Sequence, residues 1–203
     1  MTWSSFSQKK VLKKFTSNLK EITILTEGLD DFVLENSDTN FIEITLFAKN
    51  SDEQHIGVQE KNNEIQIEFK LDKIQEKEII FRKFITERLQ RANAIIKVPK
   101  GKKVIVFGNN VDIESKDFKN DLKIYIENGI VKLNEIKANT LLKLYAGLVY
   151  ASTKDVNVYV ISNNGKIKVD TVFYQKKYQK KEPNAINKLT ITSLKANIFL
   201  TAQ

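Results

Sequence analysis

Apolar and polar residues alternate through most of this chain with a period of two. Ile22 and Ile24, then Phe32 and Leu34, stand between polar neighbours. The pattern continues through Phe41, Ile42, Ile44 and Leu46, and Ile65, Ile67, Phe69 and Leu71 form a clean run. A period of two places one set of side chains on a buried face, so these segments are predicted strands. Gly28 with Asp30-Asp31, Asn62-Asn63 and Pro99-Lys100-Gly101 punctuate them as turns. Ala94–Val98 is a predicted strand ending at that proline, and Val104–Phe107 follows.

Two segments read differently. In residues 1–20, Trp3, Phe6, Val11, Leu12, Phe15 and Leu19 recur at mixed three- and four-residue spacings with lysines between them. That predicts a short amphipathic helix or arm over one end of the domain, or a membrane-surface anchor. Residues 72–93 mix helix-forming Glu, Lys, Arg and Gln with Ile79, Ile80, Phe81, Phe84 and Ile85, and read as a charged strand with a connection.

The most informative stretch is 122–175. Gly129, Gly147 and Gly165 stand 18 residues apart. In the same register Val131, Val149 and Ile167 coincide, as do Leu133, Ala151 and Val169. Upstream, Leu122, Thr140 and Val158 form one column and Ile124, Leu142 and Val160 another. Apolar residues held in step at a short fixed period predict stacked rungs, each burying its face against the next. Each glycine is expected at a turn with positive φ. A looser rung surrounds Asn109–Ile113, and a last one runs from Leu189-Thr190-Ile191 to Ile198-Phe199-Leu200 after an inserted loop, about Tyr174 to Asn187.

The fold class that follows is all-β: a single-stranded β-solenoid or β-roll with rungs of about 18 residues. Residues 1–20 form the arm and 21–203 the solenoid, with 21–93 and 94–203 as two continuous halves.

Composition narrows function mainly by exclusion. Of 203 residues, 41% are hydrophobic and 29% charged, the balance of a globular chain. With no cysteine, thiolate catalysis and zinc–thiolate sites are excluded. The net charge of +8 comes from lysines scattered among acids. Arginine is sparse (Arg82, Arg88 and Arg91), so nucleic acid is not an expected partner. The single histidine, His55, sits beside Asp52 and Glu53 in a polar turn and lacks further ligands in metal spacing. Nucleophile-elbow, Ser-x-x-Lys, phosphate-loop and calcium-loop patterns do not occur. No cofactor is expected. No leader or spanning stretch is visible, so the sequence as it stands reads as cytoplasmic, and as envelope-located if a leader has been removed.

Two surface features are candidate contact sites. The inserted loop carries Lys176, Lys177, Tyr178, Lys180 and Lys181, a basic patch. The last rung, with Ile198, Phe199 and Leu200, is followed only by Thr201-Ala202-Gln203, and reads as an uncovered edge for pairing with a second copy or a partner strand.

Ile95-Ile96-Lys97-Val98-Pro99-Lys100-Gly101, Asn128-Gly129 with its echoes, and the opening from Phe15 to Asp31 resemble the bacterial putative-adhesin β-solenoid domains of unknown function, related to the putative auto-transporter adhesin head domain. The resemblance spans roughly residues 11–203 and rests on turns and core positions. It implies a β-solenoid or β-roll and supplies no catalytic residues. The leading expectation is a non-enzymatic, adhesion-like binding or scaffold protein for an unknown protein or glycan. The alternatives are a carbohydrate-active enzyme on a β-helix, and a peripheral membrane or envelope-stress accessory protein.

Overall fold

A computed structural model describes residues 9–48, 52–71 and 92–202. The predicted strand at 72–93 lies outside these residues save for its last two positions. Among the described residues there is no α-helix, only a 3-10 turn at Glu53–His55.

The chain opens with β1 (Lys9–Phe15), β2 (Glu21–Leu25), β3 (Asp31–Asn36), β4 (Ile42–Ala48), β5 (Ile56–Lys61), β6 (Glu64–Phe69) and β7 (Asn93–Val98). It continues through β8 (Lys103–Asn110), β9 (Asp112–Ser115), β10 (Leu122–Asn128), β11 (Ile130–Leu133), β12 (Thr140–Leu144) and β13 (Leu148–Ser152). The last six are β14 (Val156–Ser162), β15 (Ile167–Val169), β16 (Val172–Tyr174), β17 (Lys177–Lys180), β18 (Asn187–Ser193) and β19 (Asn197–Thr201). They form two mixed sheets. One has the order β1-β4-β7-β3-β9-β11-β13-β19-β15-β16, the other β17-β14-β18-β12-β10-β8-β2-β6-β5. We call them sheets A and B.

From β8 to β13 the chain crosses from B to A and back, and each crossing lands one strand further along both sheets. The offset is 18 residues: Val104 opposes Leu122 and Leu122 opposes Thr140 in sheet B, while Ile113 opposes Val131 and Val131 opposes Val149 in sheet A. Parallel, in-register pairing puts like positions side by side, so the alternation along one strand becomes a column across many. The buried columns from both sheets belong to one hydrophobic cluster. Ile22, Ile24, Leu34, Ile65, Ile67, Val106, Ile124, Val131, Leu142, Val149, Ile191 and Ile198 have no solvent exposure. Each such side chain contributes about 1.5–3 kcal/mol by leaving water.

The last segment does not stack where its place in the chain suggests. β18 lies between β12 and β14, and β19 between β13 and β15. Val149 and Ile167 therefore share a column with Ile198 interposed, as Thr140 and Val158 do with Leu189 interposed. The expected pairing edge at Ile198, Phe199 and Leu200 is overturned: both sides of that strand are hydrogen-bonded neighbours, and Ile198 and Leu200 are buried. A similar displacement marks the other end, where β2 lies between β6 and β8 and β3 between β7 and β9.

The outermost strands are antiparallel at both ends: β1 on β4 and β5 on β6 at one, β16 on β15 and β17 on β14 at the other. Over residues 9–15 the expected helix is a strand. There the true period is two, since Val11, Lys13 and Phe15 are half-buried while Leu12 is exposed. Lys13 disguises the alternation, because its amine reaches the Ile56 carbonyl of β5 at 2.9 Å and so takes an inward position.

The glycines recur for a related reason. A Cβ on Gly147 would strike the Gly129 carbonyl oxygen, and one on Gly129 the carbonyl of Val111. Both have positive φ, +125° at Gly147 and +154° at Gly129. Gly165 does not share that conformation, but a Cβ there would meet the Ala196 carbonyl, which the inserted last segment brings alongside. Close approach of neighbouring backbones is the common requirement.

Two substitutions test this packing. Val149→Asp would bury an unpaired carboxylate between Val131 and Ile198 at a cost of several kcal/mol, comparable to the stability of a whole domain. The expected result is loss of the cooperative thermal transition. Gly147→Ala should lower stability by about 1–3 kcal/mol in denaturant titration through strain and collision. Wild-type stability in either variant would contradict the register.

Candidate functional site

The predicted basic patch falls at the far end of the stack, on and around β17, which follows the β15–β16 hairpin, and the structure divides it. Tyr178 points inward. It packs against the core, and its ring meets Tyr174 of β16 at 4.7 Å, so two tyrosines from opposite sheets cover the end of the core. Burial pushes the Tyr178 phenol above its ordinary range, Tyr174 and Asp170 push the same way, and Lys180 opposes them. Lys177 projects outward, its amine 4.9 Å from the Tyr159 ring. Lys180 is held by Glu182 at 2.8 Å, a contact that raises its ammonium above the usual range. Lys181 is exposed beside it, and Lys176 sits in the β16–β17 turn with φ of +59°.

Two open grooves flank this segment. One of about 350 Å³ lies on the outer side of sheet B, where Tyr159 and Gln179 meet Lys180, Lys181 and Lys188. The other, about 520 Å³, lies between the turn at 163–166 and residues 173–176, where β16 ends. Phe173 and Tyr174 line it, together with Asn163, Asn164, Gln175, Lys166 and Lys176. Val172 and Phe173 are more than half exposed, at 52% and 63%. In the sequence Asn163-Asn164-Gly165 read only as a turn; the missed signal was an apolar Val172-Phe173-Tyr174 run whose alternation fails.

Aromatics also stand on the outer faces of the sheets. Tyr150 and Phe199 are register partners in sheet A and stack with centroids 5.2 Å apart; Phe107 and Tyr125 do the same in sheet B. Near the other end, charges alternate across sheet A instead: Glu43 pairs with Lys14 at 2.7 Å, and Glu35 lies between Lys97 at 3.7 Å and Lys116 at 3.9 Å.

Acids and the lone histidine have structural duties. Nδ1 of His55 accepts the Asp52 backbone N–H at 2.7 Å, capping the 3-10 turn. Asp112 Oδ1 accepts the Ile130 N–H at 2.7 Å, and Asp30 Oδ2 accepts that of Ala92 at 2.9 Å. Among the described residues no group of three or more His, Asp or Glu is placed to hold a metal ion. The Asp31 carboxyl is displaced upward: burial raises it first, and the nearby Asp30 and Asp112 add repulsion.

That displacement has a pH signature. The folded chain holds the Asp31 proton more tightly than the unfolded chain, so this group's contribution is greatest at low pH. It is lost as pH rises from the ordinary carboxylate range through the raised value. Asp31→Asn should therefore match or exceed wild-type stability at neutral pH, by less than about 1 kcal/mol because the site is partly solvated. The difference should vanish below the ordinary carboxylate range, about pH 4. Thermal melts across that interval check this, and a clear loss of neutral-pH stability in the variant would contradict it.

No protein-family model matches the chain, and neither does any curated protein. Among solved structures, it is similar to a putative cell adhesion protein from Clostridium sporogenes, with a TM-score of 0.66 and 11% identity, over 97% of this chain and 100% of that one. A putative adhesin from Parabacteroides merdae matches more loosely, with a TM-score of 0.34 and 12% identity over 96% of this chain and 79% of the other. At such identity the first likeness establishes a shared all-β fold.

Proposed function

We propose that this chain is a non-enzymatic, adhesion-like binding protein in which a β-solenoid of roughly 18-residue rungs is the scaffold and the β14–β17 end is the contact surface. The observation that carries the reading is the composition of that end. Val172 and Phe173 lie open to solvent, Ile186 is 94% exposed, and lysines 176, 177, 181 and 188 of the same segment are exposed too. Exposed apolar side chains grouped with charge mark contact surfaces more often than they serve stability. The same end holds the two grooves described above. The adhesion-like character draws support from the Clostridium sporogenes protein's description, borne by a chain of the same fold. The ligand is a protein or glycan.

The test is a panel of glycans and bacterial and host surface proteins, probed with the full chain for binding and for turnover. Saturable binding without product formation is expected. Lys177→Glu/Lys181→Glu should weaken it at least about tenfold while leaving the melting temperature within a few degrees, since both side chains lie on the surface. Turnover of any panel member, or binding indifferent to the double substitution, would contradict the reading.

A further inference from the structure

Resting on that reading, we infer that the groove between the 163–166 turn and residues 173–176 is a binding site for an acidic saccharide, a sugar chain carrying carboxylates. Three features of the groove select this chemistry.

Its wall is aromatic. Phe173 is 63% exposed, with the Lys168 amine 5.5 Å from its ring, while Tyr174, on the other face of β16 against Tyr178, is 37% exposed. The carbon–hydrogen face of a pyranose ring packs on such rings without demanding a closed pocket. The groove's 520 Å³ falls within the range of small-ligand sites.

Its polar groups are carboxamides. The side chains of Asn163, Asn164 and Gln175 each offer two donors and an acceptor, the combination that pairs with neighbouring hydroxyls. They form no hydrogen bond to any described residue, unlike the side chains of Asn197 and Asn139. Asn197, one layer in, accepts the Lys166 N–H at 3.0 Å, and Asn139 accepts that of Lys188 at 3.2 Å. Asn163 and Asn164 have their backbone N–H groups bonded to Ser193 and Leu194, so the turn is fixed while its amides remain available. The site is thus preorganised, and binding need not order the loop.

Its charge is positive and uncompensated. Lys166 and Lys176 sit on opposite turns, and no carboxylate lines the groove. Neither makes an ion pair with a described residue, unlike Lys180, Lys14 and Lys97. A carboxylate entering the groove would meet ammonium groups from both sides, forming charge-assisted hydrogen bonds. A partner's strand would dock along the backbone edge of β16, whereas the polar groups of this groove are side chains.

The experiment is a nuclear magnetic resonance titration of the isotope-labelled full chain with an oligogalacturonate trimer and with sialyllactose. Neutral galactose trimer and an acidic poly-glutamate peptide serve as comparators. Saturable shifts confined to residues 163–176 are expected with at least one acidic sugar, and weaker binding by both comparators. Phe173→Ala and Lys166→Gln/Lys176→Gln should each weaken the affinity at least about tenfold, the consequence of losing one charge-assisted contact or the stacking face. These side chains are exposed, and amide spectra otherwise matching the wild type confirm that the variants fold. Affinity unchanged in the variants, shifts mapping elsewhere, equal binding of neutral sugar or poly-glutamate, or no binding of either acidic sugar would overturn the assignment. If neither acidic sugar binds but another panel member does, with loss on Lys177→Glu/Lys181→Glu, the groove assignment falls and the binding-protein reading stands. If nothing binds, both fall.

Discussion

Parallel, in-register backbone pairing is the constraint on which the rest of the molecule depends. It converts a local alternation into four buried columns that run along the two sheets. One passes through Ile65, Ile22, Val104, Leu122, Thr140, Leu189 and Val158, and beside it runs another through Ile67, Ile24, Val106, Ile124, Leu142, Ile191 and Val160. In sheet A, Phe32, Ile113, Val131, Val149, Ile198 and Ile167 form the third, with Leu34, Ser115, Leu133, Ala151, Leu200 and Val169 as the fourth. A slip of one residue in any strand would turn its inward set to solvent, so the columns hold the register as firmly as the backbone bonds do. Side chains fasten the turns between layers. Asp112 and Asp121 each accept the N–H of a residue 18 positions on, Ile130 and Asn139, and Asp170 accepts that of Ala202 from the inserted last segment.

Such a stack has an intrinsic weakness, since its end strands expose unpaired backbone groups. The chain answers by folding each terminal layer one place inward and laying antiparallel strands outside it. Lys13 reaches Ile56 across one end, and Tyr174 meets Tyr178 across the other. Lysines on β1 and β17 discourage further pairing by like-charge repulsion. The end formed by β16 and β17 thereby becomes the place where apolar surface, free amides and cations coexist. The surface proposed for binding follows from how the end is closed.

The strands and their 18-residue offset were legible because Val131 with Val149, and Leu122 with Thr140, are direct register partners. The position of the last segment was not. Leu189 and Val158 are interchangeable as column members, and lateral order depends on contacts far apart in sequence, which periodicity does not encode. Residues 9–15 were misread because a lysine occupies an inward position between Val11 and Phe15. At the candidate site, lysine density singled out the segment that holds β17. It could not show that Tyr178 turns inward, nor that Asn163 and Asn164 would face Phe173 across a groove, because that juxtaposition arises only when the two segments meet at the end of the stack.

The inserted last segment can be tested directly, since the chain has no cysteine to interfere. The structure makes Tyr150 and Phe199 neighbours and puts Lys168 on the far side of Phe199. Adjacent strands lie about 4.8 Å apart, within reach of a disulfide, and next-but-one strands roughly 9.6 Å apart, beyond it. The decisive measurement is oxidative cross-linking of two double variants of the folded protein, read by mass spectrometry. Tyr150→Cys/Phe199→Cys should form an intramolecular disulfide readily, and Tyr150→Cys/Lys168→Cys should not. The reverse result would restore a stack in simple chain order and contradict the arrangement on which this account rests.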